Sequence, residues 1–358
     1  MSRIKSLLFL LALAAQVTLA SATVTYAVGS CKPTLKSFTT IMAALGATPA
    51  PNVVEVCPGT YPEQIEITIP VTLEGVTANN STQAIITVPS GGLITNDVQL
   101  WVNNAGGEVN LTNLTVDATG YNGGTIGVYY TNSSGTMNHL TVRNQSWDGG
   151  GIGVWLQGGS ANPSVTLENS NVMGFGSTGI SIDTYSDTSA LTATVKGNYV
   201  NTAPINGPPY PIGINFLGGG TVYITDNLIT GGYQGIGVAD QDLTFAAGSV
   251  SMNTVVNAAG LGIGTIPGGV SVTSNTIYNV LNDGDGISID SSVAPVTGNT
   301  IMAAGLGIEF HCVAGSNVHS NTIQDTVDGV WDVPLAAAAN TYYSVGTIRG
   351  TEDVGGCQ

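Results

Sequence analysis

The sequence predicts an all-β protein, a right-handed parallel β-helix in which short strands stack coil upon coil. A phrase that begins with Asn recurs every 22 to 33 residues, and a phrase that begins with Gly-Ile or Gly-Val recurs at similar intervals. Both phrases alternate apolar and polar residues, which is typical of strands. Self-similarity at this period is the signature of a stacked repeat. Leucine-rich repeats share the period, but the regular Leu frame that they need is absent.

The Asn phrase couples an Asn to the β-branched or apolar residues that follow it. It occurs at Asn113, Asn138, Asn171, Asn198, Asn227, Asn253, Asn275, Asn299 and Asn321. An inward Asn at a turn can bond the backbone and the Asn residues of neighbouring coils. We therefore expect a ladder of asparagines, one per coil. The length of the repeat region predicts roughly eleven to thirteen coils.

The two ends of the chain differ from the repeats and define the domain boundaries. Arg3 and Lys5 precede an apolar run that is followed by small residues, so residues 1–22 are predicted to be a secretory signal peptide. We expect an N-terminal cap over residues 23–50, with an amphipathic helix over 37–46 that Ser37 caps. The β-helix is predicted over residues 51–342 and a C-terminal tail or cap over 343–358. The apolar run near the start is shorter than a membrane span. No other segment approaches that length, so the mature chain is expected to have no span.

The four cysteines form an even set, which in an exported chain predicts disulfide bonds. Three pairings are possible. We favour Cys31–Cys57 and Cys312–Cys357, with one bond near each end. A metal site on these residues is disfavoured because no C-x-x-C pair occurs.

Composition excludes some partners. The sequence has 23 acidic and 7 basic residues and a net charge of −16. Nucleic-acid binding would need a basic stripe that is absent. The charged fraction is only 8% and the hydrophobic fraction 42%, so the chain can bury a large core. We expect a secreted monomer, either extracellular or periplasmic.

The N-terminal segment resembles a known superfamily. Phe38 to Leu45, then Val53 to Glu63, then Ile69 to Gly75 look like the opening of the pectin-lyase-like right-handed parallel β-helices. Gly59, Tyr61 and Glu63 form the G-x-Y-x-E element of the pectin methylesterase branch. The resemblance implies the fold and an activity on polysaccharides.

The catalytic motifs of the enzyme families in this superfamily do not recur. Gln241-Asp242 resembles only the first part of the methylesterase Q-D-T element, and Asn282 to Gly286 resembles only the acidic part of the polygalacturonase elements. Polygalacturonate would also meet a strongly acidic surface. The sequence therefore leaves open whether the protein is an enzyme, because fold alone does not assign chemistry.

Aligning the Gly phrases places the best candidate site on three successive coils. Ser288, Glu309 and Trp331 share one outward column; Asp290 and His311 share the next; Asp285 and Asp328 share a third, two coils apart. Paired carboxylates about 9–10 Å apart approach the separation used by inverting glycoside hydrolases. The candidate catalytic residues are Asp285, Asp290, Glu309, His311 and Asp328, and the candidate substrate-binding residues are Trp331, Ser288 and Trp155. The alternative is that these are solvated outward residues, with His311 packed near Cys312.

Two further groups stand apart from this cluster. Tyr129, Tyr130, Trp147, Asp148 and Trp155 form an aromatic group in the early coils that is suited to glycans, or that packs in turns. No cofactor is expected. Calcium on Asp283, Asp285 and Asp290 is a weaker hypothesis because the loop lacks EF-hand spacing.

Two functions fit these observations. The protein either binds or processes extracellular polysaccharide, as a hydrolase or lyase if it is an enzyme, or it is a non-catalytic surface, matrix or adhesin-like solenoid. Outward acids beside Trp and His favour the first function. The missing family motifs and the scarcity of Lys and Arg favour the second.

Overall fold

The computed structural model describes residues 23–77, 83–94, 96–145, 150–184, 190–202, 210–239, 246–265, 269–290, 295–311, 318–331 and 340–348. The predicted signal peptide, Cys312, Cys357, Trp147 and Asp148 lie outside these residues. For Asp290, His311 and Trp331 the backbone position alone is described.

The chain forms a solenoid whose coils each contribute strands to three parallel sheets, with 13, 12 and 11 strands. Among the described residues the third sheet stacks eleven strands, one per coil, which agrees with the lower end of the roughly eleven to thirteen coils that the repeat length predicts. The described chain contains one helix, Ile41–Leu45. No helix in the described ranges is long and apolar enough to cross a membrane.

The first sheet begins near the N-terminus and runs the length of the solenoid. Its strands are Thr25–Val28, Lys36–Phe38, Val53–Val56, Val71–Gly75, Val109–Thr112, Gly135–Asn138, Ser164–Glu168, Thr192–Lys196, Gly220–Thr225, Ala246–Ser251, Gly269–Thr273, Val296–Thr297 and Val318–His319.

The second sheet consists mostly of three- and four-residue strands. They are Gly59–Pro62, Ala84–Thr87, Leu114–Asp117, Thr141–Arg143, Asn171–Met173, Tyr199–Asn201, Leu228–Thr230, Thr254–Val256, Thr276–Tyr278, Thr300–Met302, Thr322–Gln324 and Thr341–Tyr343.

The third sheet has mostly five- and six-residue strands and carries the Gly phrases. Its strands are Ile65–Ile67, Val98–Asn103, Ile126–Thr131, Ile152–Gln157, Thr178–Asp183, Ile212–Leu217, Gln234–Ala239, Leu261–Thr265, Asp285–Asp290, Leu306–His311 and Asp328–Trp331.

The core is a column of aliphatic side chains enclosed by the three sheets. Alternation along each strand directs every second residue inward, as in Val154 and Leu156, which are fully buried. Burial of this surface, at about 25 cal/mol per Å² of apolar area, is the main stabilising term.

The predicted asparagine ladder exists, and it begins at Asn198. Asn227, Asn253, Asn275, Asn299 and Asn321 continue it at the turn between the first and second sheets, and all are buried. The Asn275 amide donates to the Asn299 side-chain oxygen at 3.0 Å and to the Val250 carbonyl at 2.9 Å. Each rung therefore satisfies backbone groups that the turn would otherwise leave unpaired.

The first three predicted rungs are wrong. Asn171 is exposed, at the first position of its strand. The ladder position of its coil is occupied by Ser170, whose backbone N–H donates to the side-chain oxygen of Asn198. Asn113 adopts a left-handed turn conformation, with φ of 55°, and Asn138 lies at a half-buried strand position. In these three coils the ladder position lies one or two residues away from the Asn and is occupied by Leu114, Leu140 and Ser170.

The N-terminal end holds the disulfide and the helix. Cys31 and Cys57 are bonded, as predicted. The predicted helix over 37–46 is too long, because Lys36–Phe38 pairs as a strand, and Thr40 rather than Ser37 caps the helix. Its buried Ile41, Ala44 and Leu45 face the first coils. Its role as a cap remains a prediction.

The G-x-Y-x-E element has a structural role in this region. The Glu63 carboxylate accepts hydrogen bonds from the backbone N–H groups of Ile41 and Met42, at 2.9 and 3.0 Å. The Tyr61 hydroxyl donates to the Cys57 carbonyl at 2.8 Å. The element therefore attaches the helix and the disulfide to the first coil.

Candidate functional site

One outward-facing position runs through all eleven strands of the third sheet. We call this row the outer column. From the N-terminal end it contains Glu66, Trp101, Tyr129, Trp155, Ser181, Asn215, Gly237, Gly264, Ser288, Glu309 and Trp331. The residue types in this row change along the solenoid. After Glu66 come three aromatic residues, then small and polar residues, and then Glu309 and Trp331 at the C-terminal end. Tyr129 and Trp155 of the early aromatic group and Ser288 and Glu309 of the acidic group thus lie in one column.

The aromatic end of the outer column is a three-ring stack. Tyr129 lies between Trp101 and Trp155, with ring centroids 6.2 and 4.7 Å apart and interplanar angles of 9° and 22°. The three side chains are half-buried. Hydrogen bonds fix the rings: Trp101 Nε1 donates to Thr131 Oγ1 at 2.9 Å, and the Tyr129 hydroxyl donates to Gln157. The stack is therefore rigid, and its edges face outward.

A buried carboxyl group adjoins the far end of the stack. Trp155 Nε1 donates to Asp183 Oδ2 at 2.5 Å, while Asp183 Oδ1 is buried without a hydrogen-bond partner. Asp183 is only 5% exposed. Burial raises the pKa of Asp183 to about 6, and the Trp155 hydrogen bond opposes that rise. Asp183 thus exchanges a proton in the mildly acidic range.

A cleft of about 160 Å³ lies at the near end of the stack. It is lined by Met42, Gln64, Ile65, Glu66, Val98 and Trp101. A second depression, of about 350 Å³, lies beyond Gln64 and Met42 and is flanked by Pro89 and Ile94. The aromatic stack therefore ends in a concave site rather than on a flat surface.

The middle of the outer column is covered by a side chain from the same sheet. A Cβ at Gly237 would lie 3.1 Å from Gln234 Nε2 and 2.8 Å from Asn215 Oδ1, and a Cβ at Gly264 would lie 2.7 Å from Gln234 Nε2. Glycine at both positions leaves room for Gln234, which crosses the column and donates its side-chain N–H to the Ile236 carbonyl at 3.0 Å. This segment separates the two ends by about 24 Å, five strand spacings from Trp155 to Ser288.

The acidic end has the strand register that the sequence predicts. Ser288 pairs with Glu309 and Glu309 with Trp331; Asp290 pairs with His311; Asp285 and Asp328 flank Leu306. Ser288 Oγ donates to Glu309 Oε2 at 3.4 Å. Asp285, Ser288, Glu309 and Asp328 are half-buried. The register aligns the backbone positions of these residues on three successive coils, and their catalytic roles remain predictions.

Sequence reasoning missed three residues of the aromatic end. Trp101 and Glu66 lie on coils before the first Gly phrase, so the phrase alignment did not reach them. Alternation in Val98–Asn103 would have placed Trp101 outward beside Tyr129. Asp183 was passed over because nothing in the sequence marks its burial.

Tyr130 follows the packed alternative for the early aromatic group. It points inward, is fully buried, and donates its hydroxyl to the Val109 carbonyl at 2.8 Å. Burial raises the pKa of its phenol. Tyr130 is therefore a core residue, since alternation places it opposite Tyr129.

The metal site that the sequence suggests is a calcium site on Asp283, Asp285 and Asp290. Within the described residues, no group of three His, Cys, Asp or Glu side chains is arranged to hold a metal ion. The Asp290 side chain is outside that description, so the hypothesis remains a prediction.

Comparison with known proteins places the fold. Residues 126–280 match the family described as right handed beta helix region. The chain has the fold of the pectin-lyase-like right-handed parallel β-helices, as its N-terminal segment predicts. A comparison with curated proteins gives no match.

Solved structures with similar folds include enzymes and an adhesin. DFA-IIIase of Arthrobacter chlorophenolicus without its lid, in complex with GF2, is 15% identical with a TM-score of 0.50, over 90% of this chain and 94% of that chain. PfbA, a surface adhesin of Streptococcus pneumoniae, is 14% identical with a TM-score of 0.47, over 86% and 87%. The mannuronan C-5 epimerase A-module of Azotobacter vinelandii is 16% identical with a TM-score of 0.45, over 84% and 90%. At these identities the similarity concerns the fold alone.

Proposed function

We propose that this protein is secreted and binds extracellular polysaccharide on the outer face of the third sheet. The observation that carries the proposal is the Trp101–Tyr129–Trp155 stack. Alternation directs these rings away from the core, so hydrophobic burial inside the solenoid does not explain three large aromatics on one outward column. Exposed aromatic surface with polar edges is typical of recognition sites.

Polar side chains beside the stack supply the hydrogen bonds that sugar hydroxyls need. Asn103 and Gln157 occupy the neighbouring outward column on the strands of Trp101 and Trp155. Both are half-buried amides, which donate and accept. A neutral polysaccharide fits this face better than an acidic one, because the net charge is −16.

Secretion is supported by the Cys31–Cys57 bond, because disulfides persist mainly in oxidising compartments. The predicted signal peptide over residues 1–22 points the same way. N-terminal sequencing of the exported protein tests both, and a mature chain that still begins at Met1 would contradict the proposal.

Glycan binding is tested with a matched set of aromatic variants. Purified wild type is screened on a glycan array and on neutral and acidic polysaccharides, with and without calcium. We expect Trp101→Ala and Trp155→Ala to lose binding while circular dichroism stays unchanged. Tyr278→Ala, which removes an exposed ring from the second sheet, should bind like wild type. Equal losses in all three variants would overturn the location, and no binding by wild type would overturn the function.

An enzymatic version of the proposal uses the acidic end. There, one of Asp285, Glu309 or Asp328 would donate a proton to the glycosidic oxygen while another activates water. Trp331 would hold a sugar ring and Ser288 a hydroxyl. The version is favoured by the shared face, since a chain bound at the stack could extend along the outer column.

Turnover separates the enzyme from a binding or adhesin-like protein. If the protein cleaves the polysaccharide it binds, Asp285→Asn or Glu309→Gln should abolish product formation and leave binding intact. Trp331→Ala should weaken binding in either case. A protein that binds tightly but releases no product from any bound glycan would support the non-catalytic alternative, in which the solenoid serves as a spacer or adhesin.

A further inference from the structure

The ring faces in the aromatic stack are not equally accessible to a ligand. Tyr129 has Trp101 on one side and Trp155 on the other, so no sugar can stack on its faces. Trp155 donates its N–H to Asp183 on the next strand. Trp101 lies at the end of the stack, and its strand neighbour on the side away from Tyr129 is Glu66. The Trp101 ring therefore offers a stacking face on the side away from Tyr129.

That side of Trp101 is where the cleft of about 160 Å³ lies, because most of its lining comes from Met42 and the strand Ile65–Ile67 with the preceding Gln64. Its size suits one small ring rather than a length of polymer, since sites for larger ligands occupy about 300–1,000 Å³. The cleft combines an aromatic wall, a carboxylate from Glu66 and an apolar side chain from Met42.

The walls of the cleft are held in place before any ligand arrives. Gln64 Nε2 donates to the Val98 carbonyl at 2.8 Å, and its Oε1 accepts from the Ile94 N–H at 2.9 Å. Asn103 Nδ2 donates to Glu66 Oε1 at 2.9 Å. A preorganised site loses little side-chain entropy on binding.

The outer column stops at this cleft. Ile65–Ile67 is the terminal strand of the third sheet, and the helix Ile41–Leu45 packs against it. Glu63 holds the start of that helix through the two N–H groups of Ile41 and Met42. Met42, on that helix, lines both this cleft and the second depression, so it lies at the boundary between them.

We propose that this cleft is an end subsite, which stacks the terminal ring of a neutral polysaccharide chain on Trp101 and bonds its hydroxyls to Glu66. The proposal rests on the proposed function and adds that the protein recognises chain ends. A terminal uronate is disfavoured because its carboxylate would face that of Glu66. In this proposal the chain ends at Met42, at the boundary between the cleft and the second depression, so the subsite takes a terminal ring rather than an internal one.

The test measures binding per chain end. Laminarin, dextran and glucomannan are assayed at constant mass before and after partial acid hydrolysis, with polygalacturonate for comparison. We expect the amount of protein bound by the recognised neutral glycan to rise in proportion to the number of ends. Binding that follows polymer mass would overturn the end subsite and leave the proposed function intact. Binding to polygalacturonate alone would overturn the neutral ligand, and binding to none of the four would overturn both proposals.

Matched variants locate the effect. Met42→Trp fills the cleft from an exposed position and should lower affinity about tenfold, the loss expected for one ring-stacking contact. Ile94→Trp, which adds the same bulk to the second depression at a residue outside the cleft, should bind like wild type. If Ile94→Trp weakens binding as much as Met42→Trp, the chain continues past Met42 and the end-subsite proposal is wrong. Thermal melts of each variant confirm folding.

Discussion

The aromatic and the acidic ends of the outer column have equivalent backbone positions but different side-chain environments. At the aromatic end, three rings stack, an indole N–H bonds a buried carboxyl group, and a cleft adjoins the first ring. At the acidic end, half-buried side chains meet through a 3.4 Å contact between Ser288 and Glu309. A solenoid supplies many identical positions, so side-chain contacts, and not register, decide which of them becomes a site.

The buried side chains at the ladder position change from apolar to polar along the axis of the solenoid. The ladder position contains Leu114 and Leu140 in the early coils, then Ser170, then asparagines from Asn198 onward. The early coils, which lack the ladder, contain the disulfide instead. The two halves therefore achieve coil stability by different means: apolar packing with a covalent bond in one, and hydrogen-bonded rungs in the other.

The largest expected effect is on a ladder rung. Asn275→Leu should reduce the free energy of unfolding by roughly 3–5 kcal/mol, although Leu is more hydrophobic. Asn275 makes two donor bonds, and its oxygen accepts the Asn253 N–H and side-chain amide, each at 3.0 Å. Their loss leaves several buried groups unpaired. Urea and thermal unfolding measure the change.

Asn171→Leu is the control for this substitution. The residue begins the same sequence phrase, but its side chain is exposed, so stability should change by less than about 0.5 kcal/mol. Equal effects at both positions would remove the distinction between the two halves of the interior.

Removal of the disulfide tests the early coils. Cys31 and Cys57 are 26 residues apart, and loop-closure entropy gives their bond about 3 kcal/mol of stabilisation. The Cys31→Ser/Cys57→Ser double variant should therefore unfold first at its N-terminal end, which hydrogen exchange can locate. Loss of protection in the ladder coils before the early coils would contradict this assignment.

Asp183→Asn is expected to change stability by less than the ladder and disulfide variants do, and its effect depends on pH. Burial raises the pKa of Asp183 to about 6 in the folded protein, against roughly 3.9 in an unfolded chain. The folded state therefore holds the proton more tightly, and this group's contribution to stability falls as pH rises from about 4 to above 6. The neutral Asn avoids a penalty of roughly 2–3 kcal/mol at pH 7.5 but not at pH 3.5.

Thermal melts of wild type and Asp183→Asn at these two pH values measure the difference. The variant should be more stable than wild type at pH 7.5, with little gain at pH 3.5. A gain of equal size at both values would show that the proton on Asp183 is not involved.

The repeat could be predicted from the sequence because it rests on periodicity. The three-column register from Asp285 to Trp331, the Asn198–Asn321 rungs and the Cys31–Cys57 bond all follow from local pattern and spacing. The aromatic site could not be predicted in full. Whether Asp183 is buried, and whether Met42 stands beside Trp101, depends on how distant segments pack, which no local pattern encodes.

The most direct test of the central claim is a crystal structure with the oligosaccharide identified by the binding screen. We predict density for a terminal sugar ring against Trp101, within hydrogen-bonding distance of Glu66, and with Met42 beyond it. Density confined to the acidic end around Glu309, or lying on the outer face of the first or second sheet, would contradict the claim that the aromatic end is the binding site.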